Sequence, residues 1–320
     1  LSKLVETVPN FSEGRRLDVV DKLAAAVESV PGAYLLDRTS DGSHNRSVLT
    51  LAGETAPILE ALERTVTVAV AEIDMEQHVG EHPRIGAVDV VPFVPLAGST
   101  MADCIELART FGSRVADRFG IPVYLYGEAA TSPSRQRLAD VRRGQYEGLK
   151  TQIGDQGREP DFGPARLHPR AGAMAVGARP FLIAYNINLD SKDLELAKRI
   201  ARRIRESSGG LPRVQANGFW IEEIGRAQVS MNLLDYRTTP LWLVWEAVRA
   251  DAAENGVHLL ESELIGLAPL GALLDVANHC GVSQKLPEFE RLAGAAAFLK
   301  LRDFSPLQAL ELRLASARGR

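Results

Sequence analysis

Cysteine is scarce in this chain: Cys104 and Cys280 are the only two, far apart in sequence. A disulfide framework is thereby excluded, and a reducing, cytosolic setting is expected. Long apolar runs are missing as well. No stretch reaches the length of a membrane-spanning helix, so no membrane association is expected. The N-terminus lacks a basic region followed by an apolar core, so no secretory leader is expected. A basic excess is also absent. The 37 Lys and Arg are outnumbered by 41 Asp and Glu, for a net charge of −4, and the signs are mixed along the chain. The one basic cluster, Lys198, Arg199, Arg202, Arg203 and Arg205, has the spacing of a solvated helix face. Nucleic acid is therefore not an expected partner. No Gly-x-Gly-x-x-Gly follows a strand, no Walker Gly-Lys-Ser/Thr occurs, and no Gly-x-Ser-x-Gly elbow is found. These absences remove nucleotide-binding and serine-hydrolase classes.

What is present is an ordered alternation of strands and helices. Residues 3–8 read as a strand, with Asn10 and Ser12 as caps for a helix running to about Val30. Val19/Val20, Leu23, Ala26/Val27 and Val30 share one face of that helix. Two strands follow at 33–37 and 47–52, then a helix from about Glu54 to Ile73, a strand at 87–95, a helix from Met101 to Phe119, a strand at 121–126 and a helical stretch at 132–149. Residues 151–175, rich in Gly, Pro and Arg, read as irregular. The order then repeats. A strand at 181–188 leads to a helix capped by Asp190, a hairpin at 214–222 and 227–234, a helix at 239–254, a strand at 257–266 and a helix at 268–279. Residues 286–320 read as a packed helix followed by fraying.

Twice β-α-β-β-α-β predicts an α/β (α+β) protein of two ferredoxin-like subdomains, 1–178 and 179–320. Each is expected to hold a mixed sheet with helices on one face and a ligand groove between the two.

Three polar constellations stand out. The first is the loop from Asp37 to Arg46, where Asp41-Gly42 is a turn signal and Arg46 could hold a carboxylate in a bidentate fork. The second is His78-Val79-Gly80-Glu81-His82-Pro83-Arg84. Its two histidines are four apart, but Gly80 and Pro83 forbid the helix that a zinc pair of this spacing needs. His82, at the mouth of the proline-bracketed apolar strand, is a general acid/base candidate. The third is the loop Gly163, Pro164, Ala165, Arg166, Leu167, His168, Pro169, Arg170, Ala171, Gly172. Tyr126, at the end of the 121–126 strand, borders a ligand edge.

Several runs together resemble the formiminotransferase family. They are Val8-Pro9-Asn10-Phe11-Ser12-Glu13-Gly14, Asn45-Arg46, Gly80-Glu81-His82-Pro83-Arg84, Tyr124-Leu125-Tyr126-Gly127-Glu128, Pro160-Asp161-Phe162-Gly163-Pro164, Gly177-Ala178-Arg179 and Tyr185-Asn186-Ile187-Asn188. The resemblance implies transfer of a formimino group from N-formimino-L-glutamate to N5 of tetrahydrofolate, as part of histidine breakdown and one-carbon metabolism. It implies a cytoplasmic homodimer, tetrahydrofolate as co-substrate, no metal, and no attached cyclodeaminase. It places the catalytic histidine at His82 and the folate-contacting loop at 163–172. Asn10, Asn45, Arg46, Arg84, Tyr126 and Arg179 become candidates for holding substrate. Family members carry an Asp where this chain has Thr39. Asp41, the nearest downstream carboxylate, or another group is then expected to assist His82. A formyl rather than formimino donor, and folate binding without turnover, are the rival readings.

Overall fold

A computed structural model describes residues 3–319. Its contacts divide the chain after Pro180 into two compact units.

The first unit begins with a strand broken in two, β1 (Leu4–Thr7) and β2 (Asn10–Phe11). Both halves lie between β4 (Arg46–Glu54) and β5 (Val88–Pro95). The break falls at Val8-Pro9, where proline has no N–H to give the ladder. Asn10 and Ser12 are therefore not helix caps. Asn10 is in the sheet, and the Ser12 N–H and hydroxyl donate to the carbonyls of Ala87 and Gly86. Helix α1 (Leu17–Glu28) starts later, and the Glu13 carboxylate accepts the N–H groups of Arg15 and Arg16 just before it.

β3 (Ala33–Asp41) and β4 form a long hairpin, and α2 (Thr55–Glu72) returns the chain to β5. The expected β-α-β-β-α-β order is thus realised, with strands in the order β3, β4, β1/β2, β5. Helix α3 (Met101–Phe119) follows, opened by a Thr100–Asp103 capping box and closed by Gly120 in the left-handed region. It leads to β6 (Val123–Gly127). The sheet then grows by β7 (Met174–Ala178), which lies parallel between β5 and β6. This strand begins at the end of the stretch expected to be irregular, 151–175, and runs beyond it, where no strand was expected. Its small residues suit a position with both faces covered, where strands need no alternation.

One face of the sheet packs on α1, α2 and α3. On the other face Val90, Tyr124, Tyr126 and Ala175 meet Val141, Leu149 and Ile153. These come from α4 (Leu138–Val141), α5 (Gln145–Gln152) and the residue after it. The single helix expected over 132–149 is divided by Gly144, whose φ is 82°.

The second unit comprises β8 (Ile183–Leu189), α6 (Leu194–Ile204), β9 (Val214–Ile221), β10 (Arg226–Leu233), α7 (Leu241–Glu254), β11 (Leu259–Ile265) and α8 (Leu270–His279). Its sheet runs β11-β8-β10-β9 and is antiparallel throughout, because no strand is added beyond the ferredoxin-like set. Asp193, not Asp190, caps α6 by accepting the Leu196 N–H. The C-terminal stretch packs as α9 (Glu288–Leu299) and α10 (Leu310–Arg318). The fraying expected at its end includes Arg320, which lies outside the described residues.

Candidate active site

The tip of the β3–β4 hairpin, the 78–84 segment and the β1/β2 strand close around a small pocket. It is lined by Asn10, Phe11, Ser12, His44, Asn45, Arg46, His78, His82, Arg84 and Asp89. Two glycines permit the approach. A Cβ on Gly80 would sit 2.3 Å from the His44 carbonyl oxygen, and one on Gly14 would sit 2.4 Å from that of Asp41. Asn45 rivets the parts. It takes a φ of 48°, its side-chain oxygen accepts the Gly14 N–H at 3.0 Å, and its amide donates to the Val79 carbonyl at 3.0 Å. Asn45 lines the pocket while its side chain also ties the scaffold together.

Arg84 is likewise engaged by the scaffold. It is 6% exposed and donates to His78 Nδ1, to Gln145 and, through both terminal nitrogens, to the Glu147 carboxylate. A guanidinium with every face occupied has no fork left for a substrate carboxylate. Arg84 also fixes His78. Nδ1 of His78 accepts from Arg84 at 3.1 Å, so Nε2 carries the proton and donates to the Asn45 carbonyl at 3.0 Å. Neither nitrogen is free for a metal, so the His78/His82 spacing has no coordinating meaning.

His82 differs from its neighbour. It is half-buried, and no side chain among the described residues hydrogen-bonds to its ring. Its pKa is held down to about 3, first by burial and then by the positive charges of Arg46 and Arg142 and by His44. The Pro83 backbone, which has only a carbonyl to offer, pulls weakly the other way. At neutral pH the ring is an uncharged base.

Asp41 does not accompany it. Its carboxylate accepts both the His44 N–H and the His44 ring Nδ1, each at 2.8 Å, and these bonds keep its pKa low. Sequence proximity decides this: an Asp three residues before a His across a turn closes a local ring. His44 in turn stands edge-on to His82, with ring centres 6.4 Å apart. Asp41 is thus one residue removed from His82, which corrects the expectation that it orients the base.

Arg46 is where the pocket's charge is exposed. Its Nε donates to the Asn10 side-chain oxygen at 2.9 Å, and a terminal nitrogen donates to the same atom. That acceptor is neutral. Among the described residues no carboxylate stands at ion-pair distance from Arg46, and burial lowers its pKa. The Asn10 amide is anchored on the Val8 carbonyl at 2.8 Å. Arg46 and Asn10 thus form a preset donor aimed into the pocket.

Tyr126 lies on the β6 side, 5% exposed within the apolar cluster of that face. Burial raises its pKa, and Arg179 is its hydrogen-bonding neighbour. It does not line the pocket. Nor does the 163–172 loop. Gly163 (φ 85°) sits against Ile121 and Pro122. His168 and Gly172 exchange backbone hydrogen bonds at 3.0 Å, and His168 Nδ1 accepts the N–H groups of Arg170 and Ala171. Leu167 packs inward, Pro164 is half-buried, and Ala171 and Gly172 are buried against residues 85–87. Ala165, Arg166, Pro169 and Arg170 are exposed.

Two contributors were not picked out in the sequence. Arg142 bonds to the Asp89 carboxylate, whose other oxygen accepts the Ile85 N–H at 2.8 Å. The available signal was Asp89, a carboxylate inside an apolar strand, which requires a cation or N–H donors.

The pocket thus sets a neutral imidazole beside a guanidinium that has no carboxylate at ion-pair distance among the described residues, on a ferredoxin-like α/β scaffold. Comparison with known proteins supplies the class. Residues 4–179 match the formiminotransferase domain, N-terminal subdomain, and residues 184–305 match the formiminotransferase domain that follows it. Glutamate formimidoyltransferase of Streptococcus pyogenes serotype M1 is 45% identical over 279 residues, covering 87% of this chain and 93% of that protein. The protein of the same name from Thermoplasma acidophilum is 47% identical over 278 residues, covering 86% and 91%. Formimidoyltransferase-cyclodeaminase of Mus musculus is 46% identical over 292 residues, covering 89% of this chain and 54% of that protein. The chain belongs to the formiminotransferase family.

Proposed function

We propose that this chain is a transferase moving the formimino group from N-formimino-L-glutamate to N5 of tetrahydrofolate, releasing L-glutamate. The observation that carries the reading is the 45% and 47% identity, over most of both chains, to proteins named glutamate formimidoyltransferase. The pocket supports the chemistry. N5 attacks the formimino carbon, and the proton it sheds passes to His82, whose ring has no side-chain hydrogen-bond partner among the described residues. His82 then returns that proton to the glutamate nitrogen as the carbon–nitrogen bond breaks. One base serving both steps contributes about 10²–10⁴-fold, and holding two substrates in line contributes further.

Arg46, oriented by Asn10, is assigned to a donor carboxylate. The folate side is assigned to residues 163–172, whose exposed Arg166 and Arg170 suit an anionic folate tail. Nothing in the transfer calls for a metal. The two free thiols, Cys104 and Cys280, suit a reducing cytoplasm. The family resemblance carries a homodimer, which sedimentation equilibrium would test. The assay for the reading sets N-formimino-L-glutamate beside N-formyl-L-glutamate with tetrahydrofolate. Product from the formimino donor, well above that from the formyl donor, is expected; product from the formyl donor alone would overturn the assignment.

A further inference from the structure

A histidine base is ordinarily accompanied by a carboxylate that orients its ring and balances its cation. Here the carboxylates around the pocket are engaged elsewhere, and Glu81, next to His82 in the chain, is exposed to solvent. Asp41 is bound by His44, Asp89 by Arg142 and the Ile85 N–H, and Glu147 by Arg84. The charges facing His82 are instead those of Arg46 on β4 and Arg142 beyond α4, with His44 at the hairpin tip. His78, on the same segment, has both ring nitrogens engaged. Arg46 has a neutral amide oxygen where a counter-ion would stand. We propose that the donor itself supplies the missing counter-charge: a carboxylate of its glutamate moiety, seated on Arg46, completes His82 as the base for the transfer.

The second unit provides an internal control. Its β9–β10 hairpin also ends on an arginine, Arg226, and there Asp190 stands 3.4 Å away. At that position a protein carboxylate stands at ion-pair distance, as none does at Arg46 among the described residues.

The physical consequence follows from what holds His82 neutral. After burial, the largest cause is the Arg46 charge. An anion on Arg46 cancels that repulsion and adds its own attraction, and an opposite charge at such range favours the cationic ring by about 1–3 pH units. The base is weak while the site is empty and gains strength when the donor arrives. The step balances: the N5–carbon bond forms, the N5 proton passes to His82, the carbon–nitrogen bond to glutamate breaks, and the same proton leaves with glutamate. The substrate's charge promotes the proton transfer without entering the bond changes.

This inference rests on the formimino-donor reading, so its test is kept separate from turnover. His82 is titrated by NMR in histidine-labelled protein, free and saturated with N-formimino-L-glutamate in the absence of tetrahydrofolate. A donor-dependent rise of about 1–3 pH units is expected. It should persist in Arg46→Lys and vanish in Arg46→Gln, and the diamide of the donor should not produce it. Failure of the donor to bind, or binding with His82 unmoved, overturns the inference. Turnover of the donor with an unmoved His82 would sink the inference while leaving the transferase reading intact. A donor-dependent rise without turnover would support the inference while sinking that reading.

Discussion

The molecule builds one hairpin twice and charges the two copies differently. In the first unit β3 ends at Asp41 and β4 begins at Arg46; in the second β9 ends at Ile221 and β10 begins at Arg226. Each connection has a left-handed residue just before the arginine, Asn45 with φ 48° and Gly225 with φ 59°. The second copy uses glycine, for which that conformation is cheap, and sets Asp190 3.4 Å from its arginine. The first copy accepts the strain of an asparagine, whose side chain fastens Gly14 and Val79, and gives its arginine only the Asn10 amide. The hairpin beside His82 leaves its arginine without a carboxylate at ion-pair distance among the described residues.

The largest expected contrast is between histidines. His82→Ala should lower kcat by about 10²–10⁴-fold, the range for loss of a general acid/base. His279→Ala, which removes a ring stacked 4.0 Å from Trp242 and bonded to Glu246, should cost stability of about 1 kcal/mol and leave kcat within about twofold. Steady-state kinetics and thermal melts read both. Next come the arginines. Arg46→Gln should reduce kcat/KM for the donor by about 10²-fold, as expected for removing one side of a buried charge contact, whereas Arg226→Gln should stay within about threefold. Equal losses would erase the comparison.

Asn10→Asp sharpens it further, by giving Arg46 the built-in carboxylate that Arg226 already has. The donor must then displace an ion pair, so its KM should rise about tenfold. The sign for His82 is opposite: its pKa should climb from about 3 with no donor present, so the protonated ring appears at higher pH than in the parent protein. The smallest effects are in the turns. Asn45→Gly relieves φ but gives up two hydrogen bonds, a net cost of about 1–2 kcal/mol by chemical denaturation. Gly225→Asn, with nothing within 4 Å of the added Cβ, should stay within about 1 kcal/mol.

The elements visible in the sequence are those with long, regular apolar spacing. α2, α3 and β5 fall within a residue or two of expectation because their signals, apolar periodicity and bracketing prolines, are local. β7 is built of small residues whose environment is set by distant chain, and the β1/β2 break at Pro9 and the division of α4 from α5 at Gly144 each rest on one residue inside an otherwise continuous stretch. The site divides in the same way. His82, singled out at the mouth of an apolar strand, does line the pocket. The allegiance of the charged groups around it was not legible in the sequence. Arg84 is claimed by Glu147, 63 residues away, and Arg142 by Asp89, 53 residues away, while Asp41 prefers His44 across its own turn. Ion pairing is decided by which groups the fold brings together, and spacing does not carry that information.

The measurement that bears most directly on the central claim is formimino transfer by His82→Gly with and without added imidazole. The pocket in the first unit, whose base has no side-chain partner among the described residues, predicts a severe loss that imidazole partly and saturably restores. A His82→Gly protein that folds and transfers at the parent rate without imidazole would contradict it.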